Sequence, residues 1–241
     1  MSDSLDTAIL LAAGQGSRLR EVCPSKPLCP VAGKPLIDHA LDGLASARIA
    51  RVIVVTGYRA EKIEAHVAGR AETVRTPDWR RPNGVSALAA AALANSALLA
   101  MCDHLVDPAL YRRMAEAGPG PGLRLGIDRR LGHAWVDPGD VTCVRTEAAR
   151  IVAIGKGLEP HDAYDTGVFA VGPRFFEALD ALTDPSITDA VRRLAGEKRA
   201  EAVDCSDLDW IDVDDAPALR KAEDWLAASP GGFFTGLRKR F

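Results

Sequence analysis

Two cations, Arg18 and Lys26, stand just past a glycine pair, Gly14 and Gly16, at the end of the apolar run Thr7-Ala8-Ile9-Leu10-Leu11. Glycines let a chain turn tightly and bring backbone N–H groups toward an anion. Arginine can fork onto phosphate oxygens, and lysine supplies a point charge. The stretch Leu11-Ala12-Ala13-Gly14-Gln15-Gly16-Ser17-Arg18-Leu19, with Pro24-Ser25-Lys26-Pro27-Leu28 and Gly33-Lys34-Pro35-Leu36 after it, thus joins a buried strand, a turn, cations and a helix start. Such a set suits the triphosphate of a nucleotide and narrows the chemistry to nucleotide transfer. Two commoner phosphate motifs fail. The dinucleotide fingerprint G-x-G-x-x-G needs glycine where Leu19 stands; the P-loop needs glycine at Leu28 and Ser or Thr at Pro35.

Nucleotide transfer also needs a hard cation between phosphate oxygens, and Mg²⁺ takes one or two carboxylates plus the phosphates. Asp103 follows the apolar run Ala97–Met101, and an acid at the carboxyl end of a parallel strand sits at the ligand-binding mouth of a sheet. Asp209-Trp210-Ile211-Asp212-Val213-Asp214-Asp215 offers acids at the end of another strand, with Asp212 and Asp214 on one face. Asp103 and Asp214 are the expected metal pair; sharing of the ion by Asp212 or Asp215 stays open. His104 is expected to be a hydrogen-bonded neighbour rather than a ligand. At Asn83-Gly84-Val85-Ser86 a helix begins, where an amide and exposed N–H groups either read the polar edge of a base or cap the helix.

The pattern L-A-A-G-x-G-x-R-L followed by K-P-L-x-x-V-x-G-K-P-L-I resembles the signature of the GT-A-like nucleotidyltransferases, which use an NTP to cap a phosphorylated sugar, polyol or alcohol. The usual family form has proline directly before the lysine; here Ser25 intervenes. The resemblance runs from Thr7 to about Leu226. It implies that Leu11, Ala12, Ala13, Gly14 and Gly16 bind nucleotide, with Arg18 and Lys26 as catalytic cations. It also implies that an aspartate after the fourth strand and the second acid of a W-x-D-V-D-T-like motif hold the metal, which points to Asp103 and Asp214; Asp215 replaces the usual threonine. N-G-x-S at Asn83, Gly84 and Ser86 resembles a segment of cytidylyltransferases acting on inositol phosphate and phosphocholine. Lys156-Gly157-Leu158 and Asp165-Thr166-Gly167-Val168-Phe169 are similar to the K-x-L and D-T-G-[IV]-F segments that line the acceptor pocket of the inositol-1-phosphate enzymes. Lys156, Asp165, Thr166 and Gly167 are therefore the expected acceptor residues. The implied substrates are CTP, or another NTP, and a small phosphorylated acceptor, best inositol 1-phosphate. Phosphocholine, aminoethylphosphonate, a sugar 1-phosphate or a molybdopterin remain alternatives, as does a nucleotide-sensing module without activity. A cationic head group would require an aromatic or acidic pocket, for which Trp135, Tyr164 and Asp162 are candidates.

The elements that must position these residues alternate. Helices are expected at Pro35–Ala47, Ala60–Val67, Val85–Ala94, Pro108–Ala117, Pro173–Leu182, Ile187–Ala195 and Ala216–Ala228. Strands are expected at Thr7–Leu11, Arg51–Thr56, Glu72–Arg75, Ala97–Met101, Leu123–Asp128, Thr142–Arg145, Ile151–Ile154 and Val168–Val171. The β-α-β order of the first half predicts one three-layer α/β/α domain with a mostly parallel mixed sheet, Rossmann-like, over 1–229. The acceptor part lies mainly in 104–200, and 230–241 forms an aromatic and basic tail. With 241 residues, 47% of them hydrophobic, the chain can bury a large core. Its net charge of −3 excludes a global basic field for nucleic acid. Five scattered cysteines without a C-x-x-C pair suggest reduced thiols and a cytoplasmic setting. No membrane span is expected, because the longest apolar stretch, Val85 to Met101, carries Ser86, Asn95 and Ser96. A homodimer is left open.

Overall fold

A computed structural model describes residues 4–20 and 22–228. The tail expected at 230–241 lies outside the described residues. Strand β1, Thr7–Ala12, opens the fold, and a hairpin of β2 (Pro30–Val31) and β3 (Lys34–Pro35) leads into helix α1, Leu36–Ser46. There follow β4 (Arg51–Thr56), α2 (Ala60–Val67), β5 (Glu72–Arg75), α3 (Asn83–Ala89), β6 (Ala97–Met101), β7 (His104–Val106) and α4 (Pro108–Ala117). The second half holds β8 (Leu123–Asp128), β9 (Thr142–Glu147), β10 (Arg150–Lys156), β11 (Ala163–Val171), α5 (Pro173–Asp180) and α6 (Ile187–Gly196). It ends with β12 (Ala200–Asp204), β13 (Trp210–Asp212) and α7 (Ala216–Ala228).

Among the described residues the central sheet runs β5-β4-β1-β6-β11-β8-β12-β10-β9. The pairs β5–β4, β4–β1 and β1–β6 are parallel, as the alternation of apolar strand and helix requires. Strand β11 then enters antiparallel between β6 and β8. Strand β1 is buried along its whole length because both faces are covered. Ala8, Leu10 and Ala12 join the core beneath α1 and α4, while Ile9, Leu11 and Ala13 join the one beneath α3, α5 and α6. Full burial of each Leu or Ile here contributes about 1.5–3 kcal/mol. The glycine loop therefore departs from a strand held on both faces.

Several boundaries differ from the sequence expectation. Helix α3 ends at Ala89 rather than Ala94, and β11 begins at Ala163, well before Val168. Strand β12 was not anticipated: Ala-Glu-Ala-Val-Asp has no β-branched run and buries only Ala200, and it is a strand because β8 and β10 pair with it. No helix among the described residues is long and apolar enough to cross a membrane.

Candidate active site

Beyond β1 the chain turns at Gly16, whose φ of +61° is the left-handed conformation that glycine adopts freely. A Cβ at Gly16 would come within 2.5 Å of the Lys26 Cβ, so glycine also makes room for the lysine stem. Leu19 is fully buried and anchors the far end of the loop. Lys26 starts a short turn with Pro27 at its second position, and its side chain is 7% exposed. Its ammonium lies 2.6 Å from Asp103 Oδ2, touches Asp214 Oδ1, and is 3.8 Å from Asp212 Oδ1. Burial opposes the charge on Lys26, but the three carboxylates outweigh it and push its pKa up, so it stays protonated. Arg18 reaches Asp214 and, at 2.7 Å, Asp140 Oδ2. A cavity of about 260 Å³ opens here, lined by Leu11, Ala12, Gly14, Gly16, Arg18, Lys26, Asp103 and Asp214 among others. Ala13 does not line it; that residue is buried, and its carbonyl accepts the Tyr58 N–H.

The acids converge because β13 pairs antiparallel with β7, placing Asp212 opposite His104, the neighbour of Asp103. The expected pair, Asp103 and Asp214, meets on Lys26. Asp212, left undecided by the sequence, is common to two close sets: Asp103, His104 and Asp212, and Asp140, Asp212 and Asp214, with ligand atoms of each set within 4.8 Å of one another. Asp215 caps α7 by accepting the Ala218 N–H at 2.8 Å. Burial would raise the Asp212 carboxyl, but His104 and Lys26 hold it well below the usual range. Burial, with Asp212 and Asp103 nearby, pushes Asp214 up to about 6 against the pull of Lys26. Asp140 was not found from sequence; nothing in Trp135-Val136-Asp137-Pro138-Gly139-Asp140 distinguishes it from a solvated turn. Burial opposes its ionisation, yet Lys156 and Arg18 bring it down to about 2.

The D-T-G segment also seats His104. Gly167 has φ +76°, and a Cβ there would lie 2.3 Å from the His104 ring. Thr166 is fully buried: its hydroxyl donates to the Gly126 carbonyl, and its own carbonyl takes His104 Nδ1 at 3.0 Å. The Thr166 side chain thus faces the core rather than an acceptor. His104 Nε2 points to Asp212 Oδ2 at 3.6 Å, and its ring stacks on Trp210. Trp210 is held in turn by its Nε1–H donating to the buried Asp128 at 3.0 Å. Burial disfavours a charged His104, but Asp212 and Asp103 push its pKa up to about 10. The acids thus favour the protonated imidazole.

A larger cavity, about 360 Å³, shares Arg18 and Asp214 with the first. Lys156, Asp165, Gly167, Asn83, Trp135 and Trp210 are among its lining. Lys156 contacts Asp140 Oδ1. Burial pushes the Asp165 carboxyl up to about 6, against the Gly167 N–H that it accepts at 2.7 Å. Asn83 lines this cavity while its side-chain Oδ1 accepts the Ile187 N–H at 3.0 Å, so it also ties α3 to α6. Gly84 packs against the Pro185 carbonyl and Ser86 is buried; neither lines either cavity. Tyr164 and Asp162 are likewise absent from the lining, the first bonded to Gly132 and the second to Arg129 and Thr146. Of the three residues considered for a cationic head group, only Trp135 remains.

A family model described as the MobA-like NTP transferase domain matches residues 8–204. The chain belongs to this family. The chain is 34% identical over 238 residues to the "Bifunctional IPC transferase and DIPP synthase" of Rubrobacter xylanophilus, covering 93% of this chain and 54% of that protein. The protein of the same name from Aquifex aeolicus is 28% identical over 229 residues, covering 92% and 52%. The domain thus spans about half the length of these relatives. Among solved structures, the inositol-1-phosphate CTP transferase from T. maritima superposes with a TM-score of 0.83 at 21% identity, over 98% of this chain and 99% of that one. UDP-glucose pyrophosphorylase complexed with UDP-glucose gives 0.76 at 18%, over 93% and 99%. These likenesses show the nucleotidyltransferase fold. The acids on and after β13 lie beyond the span matched by the family model, and the structure places them beside Lys26.

Proposed function

We propose that the domain transfers the cytidylyl group of CTP to a small phosphorylated polyol, best inositol 1-phosphate, and releases pyrophosphate. The observation that carries this reading is the sharing of Arg18 and Asp214 between the two cavities. Two phosphate-bearing ligands entering from the two sides would meet there. The likeness to the inositol-1-phosphate CTP transferase from T. maritima supports CTP and inositol phosphate as the pair.

The acids fit Mg²⁺ in kind. All are hard oxygen donors, as that ion prefers, and Asp212 Oδ1 is buried without a hydrogen-bond partner. Asp103 and Asp214 would hold the ion, with Asp212 beside them. When bound, it would neutralise charge on the α-phosphate and the departing pyrophosphate. The chain's own residues do the rest. Gly14 and Gly16 leave backbone N–H groups free to approach the triphosphate. Arg18 and Lys26 stabilise the charge that gathers on the α-phosphorus and its leaving group. Lys156 receives the acceptor phosphate, and Asp165, across the cavity, receives hydroxyl donors. The acceptor phosphate is itself ionised, so attack needs no enzyme nucleophile; the positioning is the catalysis. Cys102, which lines the first cavity, is unsuited to that role because burial raises its thiol far above the ordinary range.

Pyrophosphate release measured with each NTP, with Mg²⁺, against inositol 1-phosphate, phosphocholine, aminoethylphosphonate and glucose 1-phosphate tests this. Release fastest with CTP and inositol 1-phosphate is expected. Preference for another acceptor would replace the polyol, and nucleotide binding without release from any pair would refute transfer.

A further inference from the structure

Asp140 has no role in the transfer reading above, yet it lines the larger cavity beside Arg18, which both cavities share. One carboxylate oxygen accepts from Arg18 at 2.7 Å, and the other contacts the Lys156 ammonium. Arg18 is the cation of the nucleotide side and Lys156 that of the acceptor side. Both are long side chains, 49% and 60% exposed, and such chains lose considerable rotamer freedom when fixed. A tight turn fixes the carboxylate: the Asp140 and Val141 N–H groups both donate to the Asp137 carbonyl, and the Asp137 side chain accepts the Gly139 N–H at 2.9 Å. A carboxylate bound by a guanidinium and an ammonium presents to them the same pattern of oxygens as one edge of a phosphate monoester.

We propose that Asp140 is a resident stand-in for the acceptor's phosphate, bridging Arg18 and Lys156 until that phosphate displaces it. The inference rests on the transfer reading above. Two anions cannot share the same pair of cations without repelling each other, so the incoming phosphate must replace the carboxylate. Asp140 therefore does two things. It keeps both cations aimed at the junction in the free protein. It also sets a threshold for entry: a simple anion offers the two cations little more than Asp140 already does, whereas a phosphorylated polyol adds hydroxyl contacts in the larger cavity. The residue thereby discriminates between the acceptor and free phosphate, and it does so without touching the bound substrate.

The test is calorimetric binding of inorganic phosphate to the intact protein, in wild type, Asp140→Asn, Asp140→Ser and Asp140→Glu, with melting temperatures as a check on folding. Asp140→Asn, and in the same direction Asp140→Ser, should bind phosphate about tenfold more tightly, the scale of losing a charge-assisted competitor. Asp140→Glu, which keeps the charge, should stay within about twofold of wild type. A merely structural role would weaken binding or leave it unchanged, never tighten it. Unchanged or weaker binding in the two neutral variants, with wild-type binding intact, overturns this inference alone. No phosphate binding by any of the four also overturns this inference, whereas the transfer reading stands or falls on the pyrophosphate-release assay.

Discussion

Lys26 and Lys156 are two cations facing one junction, yet the chain treats them differently. Lys26 is 7% exposed, rises from a turn beside β1, and is fixed by Asp103, Asp212 and Asp214. Lys156 is 60% exposed, ends β10, and meets a single carboxylate. The difference teaches how the work is divided. The charge that must stabilise a transition state is built in place, so little reorganisation is needed when the reaction occurs. The charge that receives the acceptor is loosely held, so it can exchange its protein partner for a ligand.

Breaking the fixed side should cost most. Lys26→Ala is expected to lower turnover at least about a hundredfold with folding intact; near-normal turnover would remove Lys26 from the chemistry. Next comes the support shared by both sides. Gly167→Ala places a methyl group against the His104 ring on a left-handed backbone and should destabilise the fold by about 2 kcal/mol, read as a lowered denaturation midpoint. A midpoint equal to wild type would show that His104 is free to move aside. Asp214→Asn and Asp103→Asn should raise the Mg²⁺ concentration needed for half-maximal activity at least about tenfold; wild-type titration in either variant refutes that residue as a ligand. On the adjustable side, Lys156→Ala should raise KM for the acceptor about fivefold while KM for CTP moves less than about twofold. Equal changes in both constants would erase the distinction between the two lysines.

The smallest effect is a pH dependence. His104 is raised from 6.5 to about 10 by its acidic neighbours, against burial. A raised folded-state value means that its contribution to stability is complete below about pH 6.5 and is lost as pH climbs through about 10. Denaturation midpoints measured across that window should fall less for His104→Gln than for wild type. Parallel curves would mean that the ring is neutral in the folded protein.

The same contrast explains what could be read from the chain alone. The parallel half was legible because its signals are local: Thr7–Leu11 and Arg51–Thr56 are continuous apolar or β-branched runs, and the glycine turn carries its cations within a few residues. The acceptor half was less so, because its residues take their roles from distant partners. Thr166 and Gly167 read as acceptor contacts; Gly167 does line the larger cavity, while the Thr166 carbonyl and the missing Gly167 side chain also seat His104, which comes from β7 far earlier in the chain. Asp140 has no motif around it; two cations from separate strands and loops give it meaning. Strand β12 follows the same rule, since Ala200–Asp204 has little strand character of its own and is recruited by β8 and β10. Gly84 and Ser86 carry a motif but serve packing, whereas Asn83 beside them both packs and faces the cavity.

The most direct test of the central claim is a crystal structure of the protein with CTP and Mg²⁺. The account predicts the triphosphate along Gly14 to Arg18, its α-phosphate within reach of Arg18 and Lys26, and an ion touching Asp103 and Asp214. A triphosphate bound away from this loop, or an ion on neither aspartate, would contradict it.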